Sequence, residues 1–159
     1  MEAAENKTLK NSIKMSFRSI GENVALARLV VAAALAEKDI TLAELDEIKV
    51  AVSEAVSNAI IHGYENQGQH MVKMEIDIDG DDLTILVQDD GIGIADVDLA
   101  MQPTYSSSSE RMGLGFSFMQ SFMDKVEVTS VLGQGTSVRL MKKLGAFESE
   151  SIEPDEFIN

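Results

Sequence analysis

Residues 53–63 of the chain, SEAVSNAIIHG, carry the pattern on which the fold depends. Glu54, Asn58 and His62 recur every four residues, so a helix places them on one face, one turn apart, beside an apolar stripe. The capping box T-L-A-E at Thr41–Glu44 predicts that this helix begins there and runs to about His62, where the final glycine of the stretch ends it. Such polar residues are either a solvated face of an amphipathic helix, or a carboxylate that accepts a proton beside an amide oxygen that binds a hard cation.

The rest of the sequence predicts an α+β domain around this helix. Alternating apolar residues predict five strands, at about residues 13–17, 71–79, 83–88, 125–130 and 136–144. Two further helices are predicted, one from an N-cap at Asn23 to about Glu37 and a shorter one at about residues 115–123. Residues 89–112 show no sustained periodicity and predict a long loop, which is typical of a functional lid. This order indicates a two-layer sandwich in which helices cover one face of a mixed sheet.

The charge of the chain is strongly negative and unevenly placed. Thirteen basic and 27 acidic residues give a net charge of −14, and the excess acids lie at 75–98 and 145–159. This composition argues against a nucleic-acid groove or an anionic membrane surface as partner, since both need clustered Lys and Arg. With no Cys and only two His, a thiolate metal site or a His-rich cage is excluded.

The length and the apolar content bound the organisation of the chain. With 159 residues, of which 45% are apolar, the chain has room for one domain with a proper core. We expect a flexible N-terminus at 1–12, the domain at 13–144, and an acidic disordered tail at 145–159. No apolar run approaches the ~18 residues that span a bilayer, and the first twenty residues lack a secretory apolar region, so we expect a cytoplasmic protein.

Three glycine-containing motifs accompany the helix. QDDGIGI at 88–94 follows a predicted strand, RMGLGF at 111–116 precedes a predicted helix, and GQGT at 133–136 joins the last two strands. Taken singly, each is explained as a turn or a loop-to-helix junction. The functional interpretations are a strand-end carboxylate facing a pocket, a helix N-terminus that binds phosphate with Arg111, and a pocket-floor hydroxyl on Thr136.

In order and spacing, the helix and the three motifs together resemble the nucleotide-binding superfamily shared by gyrase, Hsp90, sensor histidine kinases and MutL, which has the Bergerat-type GHKL fold. The resemblance implies that Asn58 would ligand Mg²⁺ and that Asp89 would hydrogen-bond the adenine amino group of ATP or ADP, supported by Thr136. The remaining residues that the resemblance assigns to nucleotide binding are glycines and a neighbour: Gly91 and Gly93 of the Asp-x-Gly-x-Gly box, and Gly113, Leu114 and Gly115 along the phosphates.

The length of the chain and the sequence of its motifs indicate a branch of that superfamily. SEAVSNAIIHGYEN, QDDGIGI, ERMGLGFSFMQSFMD and GTSVRLMKK resemble the stand-alone serine-kinase branch, the sporulation anti-sigma-F factors, across residues 13–144. The resemblance implies an ATP- and Mg²⁺-dependent serine/threonine kinase that phosphorylates a serine of an anti-anti-sigma partner and alternatively holds a sigma factor inactive. Glu54 would act as general base on the serine or position it, and Arg111 would neutralise charge on the γ-phosphoryl group.

Other interpretations stay open. The general-stress anti-sigma-B kinases are similar but less so in these stretches, a nucleotide-gated binding module would lack transfer activity, and a detached histidine-kinase domain would lack its helical partner domain. The first helix, with Arg28 on its polar side, either simply packs on the sheet or forms a partner surface. The resemblance implies a homodimer formed through this region.

Overall fold

We describe the fold from a computed structural model, which covers residues 9–102 and 108–146, with backbone alone at 108–111. The predicted N-terminal segment at 1–12 and tail at 145–159 lie largely outside these residues. The described elements, in chain order, are β1 (Asn11–Arg18), α1 (Glu22–Ala34), α2 (Leu42–Asn58), a π-helix (Ala59–Gly63), β2 (Met71–Asp79), β3 (Asp82–Asp89), α3 (Val97–Ala100), α4 (Ser108–Phe122), β4 (Lys125–Val131) and β5 (Gly135–Lys143).

The strands form a five-stranded sheet in the order β1-β2-β3-β5-β4. Every neighbouring pair among these strands is antiparallel, so the prediction of a mixed sheet was wrong in this detail. The reason lies in the last strand. β3 and β4, which are separated by α3 and α4, do run in the same direction, but β5 lies between them and pairs antiparallel with both.

One face of the sheet is buried and the other is polar. Alternate residues of β2 and β3 are buried, which is the period of two expected of a strand that faces a core on one side only. These residues are Val72, Met74, Ile76, Ile78, Leu83, Ile85, Val87 and Asp89. All of them except Asp89 form one hydrophobic cluster with the buried face of α2, so the predicted α+β two-layer architecture is confirmed.

Of the N-caps predicted for the first two helices, one is confirmed and one was wrong. Thr41 caps α2 as predicted, because its hydroxyl accepts the backbone N–H of Glu44 at 3.1 Å. The carboxylate of Glu44 is buried and accepts the N–H of Gly145 at 3.0 Å, which fastens the end of β5 to the start of α2. The predicted cap of α1 was wrong: Gly21 is the N-cap, and the Asn23 amide donates instead to the Arg18 carbonyl at 2.9 Å.

The segment predicted to be a long loop at 89–112 contains two helical elements. α3 is a single turn whose cap, Asp96, accepts the N–H of Leu99 at 3.0 Å. α4 begins at Ser108, so the prediction that it begins near Gly115 was wrong. The sequence offered a start signal that favours the earlier beginning, since Ser107-x-x-Glu110 has the spacing of a capping box. Within the described part of the chain, none of the helices has the length and apolar character needed to traverse a membrane.

Candidate functional site

Asp89, the last residue of β3, is a buried carboxylate at the edge of the core. It pairs with Thr136 of β5, and its Oδ1 accepts the N–H of Gly91 at 2.9 Å. Burial raises the pKa of Asp89 to about 6, against the opposing effect of the backbone N–H groups of Gly91 and Thr136. The charge of Asp90 also contributes to this rise. Burying a carboxylate destabilises its ionised form. A buried carboxylate that lines a pocket is therefore a candidate for recognising a ligand.

Glycines allow the backbone to close around Asp89. A Cβ built on Gly63 would lie 2.6 Å from Oδ1 of Asp89, and one on Gly91 would collide with the Gly63 carbonyl. Gly135 and Gly93 have positive φ angles of 111° and 74°, and a Cβ on either would collide with a backbone carbonyl, that of Asp89 and of Val131 respectively. The glycines of the two strand-end motifs are therefore required by close backbone packing around the carboxylate.

Ser130 organises the other side of the pocket, and no motif in the sequence predicts this role. Its hydroxyl accepts the N–H of Ile94 at 2.7 Å, lies 2.9 Å from the Thr136 hydroxyl, and donates to the Gly135 carbonyl at 3.0 Å. This contact depends on the β4–β5 register, in which Ser130 faces Thr136. The predicted pocket-floor hydroxyl of Thr136 is thus held in place by a second hydroxyl.

The end of α2 widens into a π-helix as it reaches Asp89. In this π-helix the N–H of Tyr64 donates to the Ala59 carbonyl five residues earlier, at 2.9 Å. Such widened turns are rare and occur most often at functional sites. Here the π-helix begins directly after Asn58 and ends at Gly63, which contacts Asp89. The sequence predicted a regular helix to His62 and therefore missed it.

Glu54 and Asn58 lie on the same side of α2 and face α4. Both line a groove with His62, Leu114 and Gly115. A Cβ built on Gly115 would lie 2.8 Å from Oε2 of Glu54 and 3.6 Å from both polar atoms of the Asn58 side chain. Gly115 therefore lets α4 approach these two side chains. Burial raises the pKa of Glu54 above its usual value.

Asn58 joins this groove to the pocket at Asp89. It lines both, together with His62, and the pocket is completed by Thr136, Gly93 and other residues of β3, β5 and α4. Its Nδ2 is buried without a hydrogen-bond partner among the described residues. Since buried polar atoms are nearly always paired, an unpaired one at a pocket indicates a group kept for a ligand.

The side chain of Asn58 fits a magnesium ion of the kind held mainly by phosphates and water. No cluster of three or more His, Cys, Asp or Glu side chains suited to a metal is found among the described residues. Mg²⁺ bound to a nucleotide commonly takes only one or two protein oxygens, and the amide oxygen of Asn58 can supply one.

Eight of the sequence-predicted residues lie in one of two places, and three do not. Glu54, Asn58, Leu114 and Gly115 meet in the groove, and Asp89, Gly91, Gly93 and Thr136 meet around the pocket. Gly113 lies inside α4, where an added Cβ would lie 2.6 Å from the Gln102 carbonyl oxygen, so the predicted loop-to-helix junction at Gly113–Gly115 was wrong. The side chain of Arg111 lies outside the described residues. Arg28 lies away from both places on α1, where it donates to the Ser53 hydroxyl at 3.2 Å.

Comparison with known proteins shows the class of domain to which this chain belongs. Residues 17–142 match the family model of the histidine kinase-like ATPase domain. Two longer solved chains share the fold. The RsbU and RsbW domains of a Mycobacterium tuberculosis protein align with a TM-score of 0.59 at 17% identity, over 84% of this chain and 32% of that one. A blue-light activated histidine kinase of Erythrobacter litoralis aligns with a TM-score of 0.52 at 21% identity, over 79% and 42%.

Curated relatives are much more similar in sequence. The anti-sigma F factor of Oceanobacillus iheyensis is 46% identical over 138 residues, which are 86% of this chain and 94% of that protein. Those of Clostridium beijerinckii and Clostridium kluyveri are 47% and 48% identical, each over 84% of this chain and 94% of theirs. The chain belongs to the anti-sigma F factor family, within the histidine kinase-like ATPases.

Proposed function

We propose that this chain is a Mg²⁺- and ATP-dependent serine/threonine protein kinase that also holds a sigma factor inactive. The observation that carries the proposal is the meeting of Glu54 and Asn58 in one groove that shares Asn58 with the pocket of Asp89. This arrangement offers a place for a base, a cation and a purine in sequence along one cleft. The names of the similar proteins, anti-sigma F factors, support the sigma factor as partner.

The pocket at Asp89 would bind the adenine ring. An ionised carboxylate accepts hydrogen bonds only, so it suits the amino group of adenine and disfavours the carbonyl oxygen that guanine has at the same position. The Thr136 hydroxyl, held by Ser130 at 2.9 Å, would support that contact. Apolar residues of the same pocket, among them Ile94, Met112 and Phe116, suit the faces of the ring.

The groove at Glu54 would hold the reacting phosphate and the substrate serine. Bound Mg²⁺ supplies charge neutralisation and an anchor for the phosphates, and Asn58 would be its protein ligand. Leu114 and Gly115 line the groove, and Gly113 is the residue directly before them in α4, which supports the proposal that the phosphates pass along this helix. We also propose Arg111, from its place in the sequence, as the cation that meets the γ-phosphoryl group.

Glu54 would accept the proton of the serine hydroxyl. As the serine oxygen forms its bond to the γ-phosphorus and the bond to the ADP oxygen breaks, the proton passes to the Glu54 carboxylate. Burial raises the pKa of Glu54 towards neutral pH, which makes it a better proton acceptor than an exposed carboxylate.

Transfer of labelled phosphate to a candidate anti-anti-sigma protein tests the kinase. We expect Glu54→Gln to keep ATP binding and to lose about 100-fold or more of the transfer rate, the contribution of a general base. Glu47→Gln, about two turns earlier on the same helix, is the matched control and should transfer normally. A fully active Glu54→Gln protein would remove Glu54 as the base.

Asn58→Ala separates the cation from the base in the same experiment. We expect it to abolish the Mg²⁺-dependent part of ATP affinity in calorimetry, measured with Mg²⁺ and with a chelator. Unchanged affinity in Mg²⁺ would contradict the assignment of Asn58. ATP binding by the unaltered chain with no transfer to any candidate partner would favour the nucleotide-gated binding module instead.

We propose that two copies of the chain associate through α1 and β1 in the cytoplasm, and that this region, with Arg28, contacts the sigma factor and the anti-anti-sigma protein. The support is a pair of exposed apolar side chains three residues apart on α1, Leu26 and Leu29, of which Leu29 is 68% exposed. β1 is moreover an edge strand, whose outer backbone groups are unpaired within the described sheet.

A further inference from the structure

Tyr64 lies directly after the π-helix and is almost fully buried, with 4% of its surface exposed. Its ring stacks on that of His70, with centroids 4.7 Å apart and planes 11° from parallel. The two residues that follow, Glu65 and Asn66, have left-handed φ angles of 53° and 60°. Since such angles are unfavourable for residues other than glycine, the surrounding structure must hold this turn in place.

The hydroxyl of Tyr64 bridges the first residue of β2 and the residue after β3. It donates to the Met71 carbonyl at 2.7 Å and accepts the N–H of Asp90, also at 2.7 Å. Burial raises the pKa of the Tyr64 phenol above its usual value, so the hydroxyl stays protonated and able to donate.

The Tyr64 hydroxyl lies where the next backbone pair between β2 and β3 would otherwise form. The β2–β3 ladder ends at the pair Lys73–Gln88, and the same register would next place Val72 opposite Asp89 and Met71 opposite Asp90. Met71 and Asp90 instead each bond to the Tyr64 hydroxyl. The hydroxyl therefore acts as a wedge that separates β2 from β3 beginning at Asp89.

The separation affects Asp89 on one side only. Its pairing with Thr136 of β5 is retained, while its link to β2 is opened. Gly63, the residue before Tyr64, contacts the Asp89 carboxylate and accepts the N–H of Ile92 at 3.0 Å. Two successive residues thus set both the backbone and the carboxylate of the strand end.

We propose that Tyr64 is a positioning residue for purine recognition, and that its hydroxyl holds β2 and β3 apart so that the Asp89 carboxylate faces the amino group of adenine. The inference rests on the proposed nucleotide site and adds a residue that acts on it through Asp89. Tyr64 makes no contact with the ligand itself.

Affinities for ATP and inosine triphosphate, measured by calorimetry in Mg²⁺, test the proposal. Inosine carries a carbonyl oxygen in place of the amino group, so the ratio of the two affinities reports the Asp89 contact. We expect Tyr64→Phe to weaken ATP binding about tenfold, the effect of one misplaced buried hydrogen bond, and to leave inosine triphosphate nearly unchanged. The exchange protection of the Asp90 amide should fall in the same variant.

His70→Ala is the matched control, since it removes the stacked ring and leaves both hydrogen bonds of the hydroxyl. It should keep the affinity ratio of the unaltered chain. In an Asp89→Asn background, which lowers the ratio by itself, Tyr64→Phe should cause no further change in the ratio.

The outcomes separate this inference from the function on which it rests. Equal weakening of both nucleotides by Tyr64→Phe, or no weakening of either, would overturn the positioning role while leaving the nucleotide site intact. A chain that prefers neither nucleotide, or whose ratio is unchanged by Asp89→Asn, would overturn the role of Asp89 and the role of Tyr64 with it.

Discussion

At the scale of single residues, the candidate site maintains charge and polarity where the fold alone would favour apolar groups. The alternation of buried residues along β3 ends on Asp89, and the buried side of α2 adjoins Asn58, whose Nδ2 has no partner among the described residues. Neither group improves the core. Both are therefore places where a substitution should increase stability and reduce function.

Asp89→Asn should stabilise the free protein at neutral pH. Because the folded-state pKa of Asp89, about 6, lies above its usual value of 3.8, the folded state binds more protons between these values. Ionised Asp89 therefore destabilises the fold fully above pH 6, and the effect fades as the pH falls towards 3.8. We expect the variant to gain up to about 3 kcal/mol at pH 7 and almost nothing near pH 4 in urea unfolding.

Asp90→Asn provides the comparison, since the Asp90 side chain is 74% exposed beside Lys73. Its unfolding free energy should change by no more than about 0.5 kcal/mol at either pH. An Asp89→Asn protein that is less stable than the unaltered chain at pH 7 would show that the carboxylate is needed structurally for its bond from Gly91.

At the scale of elements, short sequence patterns predicted the features that depend on residues close together in the chain. The Thr41 cap and the alternation of β2 and β3 were predicted because each depends on residues next to one another in the chain. Asn23 failed as a cap because its amide found a partner in β1, at the Arg18 carbonyl. The candidate site follows the same rule. Glu54 and Asn58 could be predicted because helical spacing places them on one face. Ser130 and Tyr64 could not, because they act through strand register and a π-helix that no short pattern indicates.

The packing of α4 on α2 makes Gly115 a sensitive position. Alanine in a helix is favoured over glycine by about 1 kcal/mol, yet a Cβ here would lie 2.8 Å from the Glu54 carboxylate. We expect Gly115→Ala to keep or raise the melting temperature and to lower the rate of phosphate transfer about tenfold or more, because Glu54 is displaced. Gly21→Ala, where a Cβ meets nothing within 4 Å, should leave transfer unchanged. Normal transfer by Gly115→Ala would show that Glu54 can move without consequence.

At the scale of the whole molecule, one end of the sheet carries the candidate site, and the other end lies near the contact that fastens β5 to α2. Asp89 and Thr136 pair at one end, and Asp82 and Lys143 pair at the other, close to the bond between Glu44 and Gly145. Edge strand β1 and helix α1 lie to one side. The proposed nucleotide site, the bond that fastens the end of β5 to α2 and the proposed partner surface are therefore spatially distinct, so that each can be altered separately.

A charge on the exposed side of α1 should disrupt the proposed homodimer. We expect the unaltered chain to sediment as a dimer at micromolar concentration and Leu29→Glu to sediment as a monomer, since a carboxylate would be buried at the interface. Leu42→Glu, at an 80% exposed position at the start of α2, should remain dimeric. An unaltered chain that sediments only as a monomer would contradict the proposal.

The insertion of β5 between β3 and β4 has a consequence for how the chain folds. Of the strands that the structure describes, β5 is the last to leave the ribosome, and until it arrives β4 has no neighbour among them and Thr136 is not yet beside Asp89. The strands and helices that precede β5 can pack while synthesis continues, but the pocket between Asp89 and Thr136 cannot form before β5 is placed. A chain truncated before β5 would therefore lack one side of the proposed purine pocket, and we expect it not to bind nucleotide.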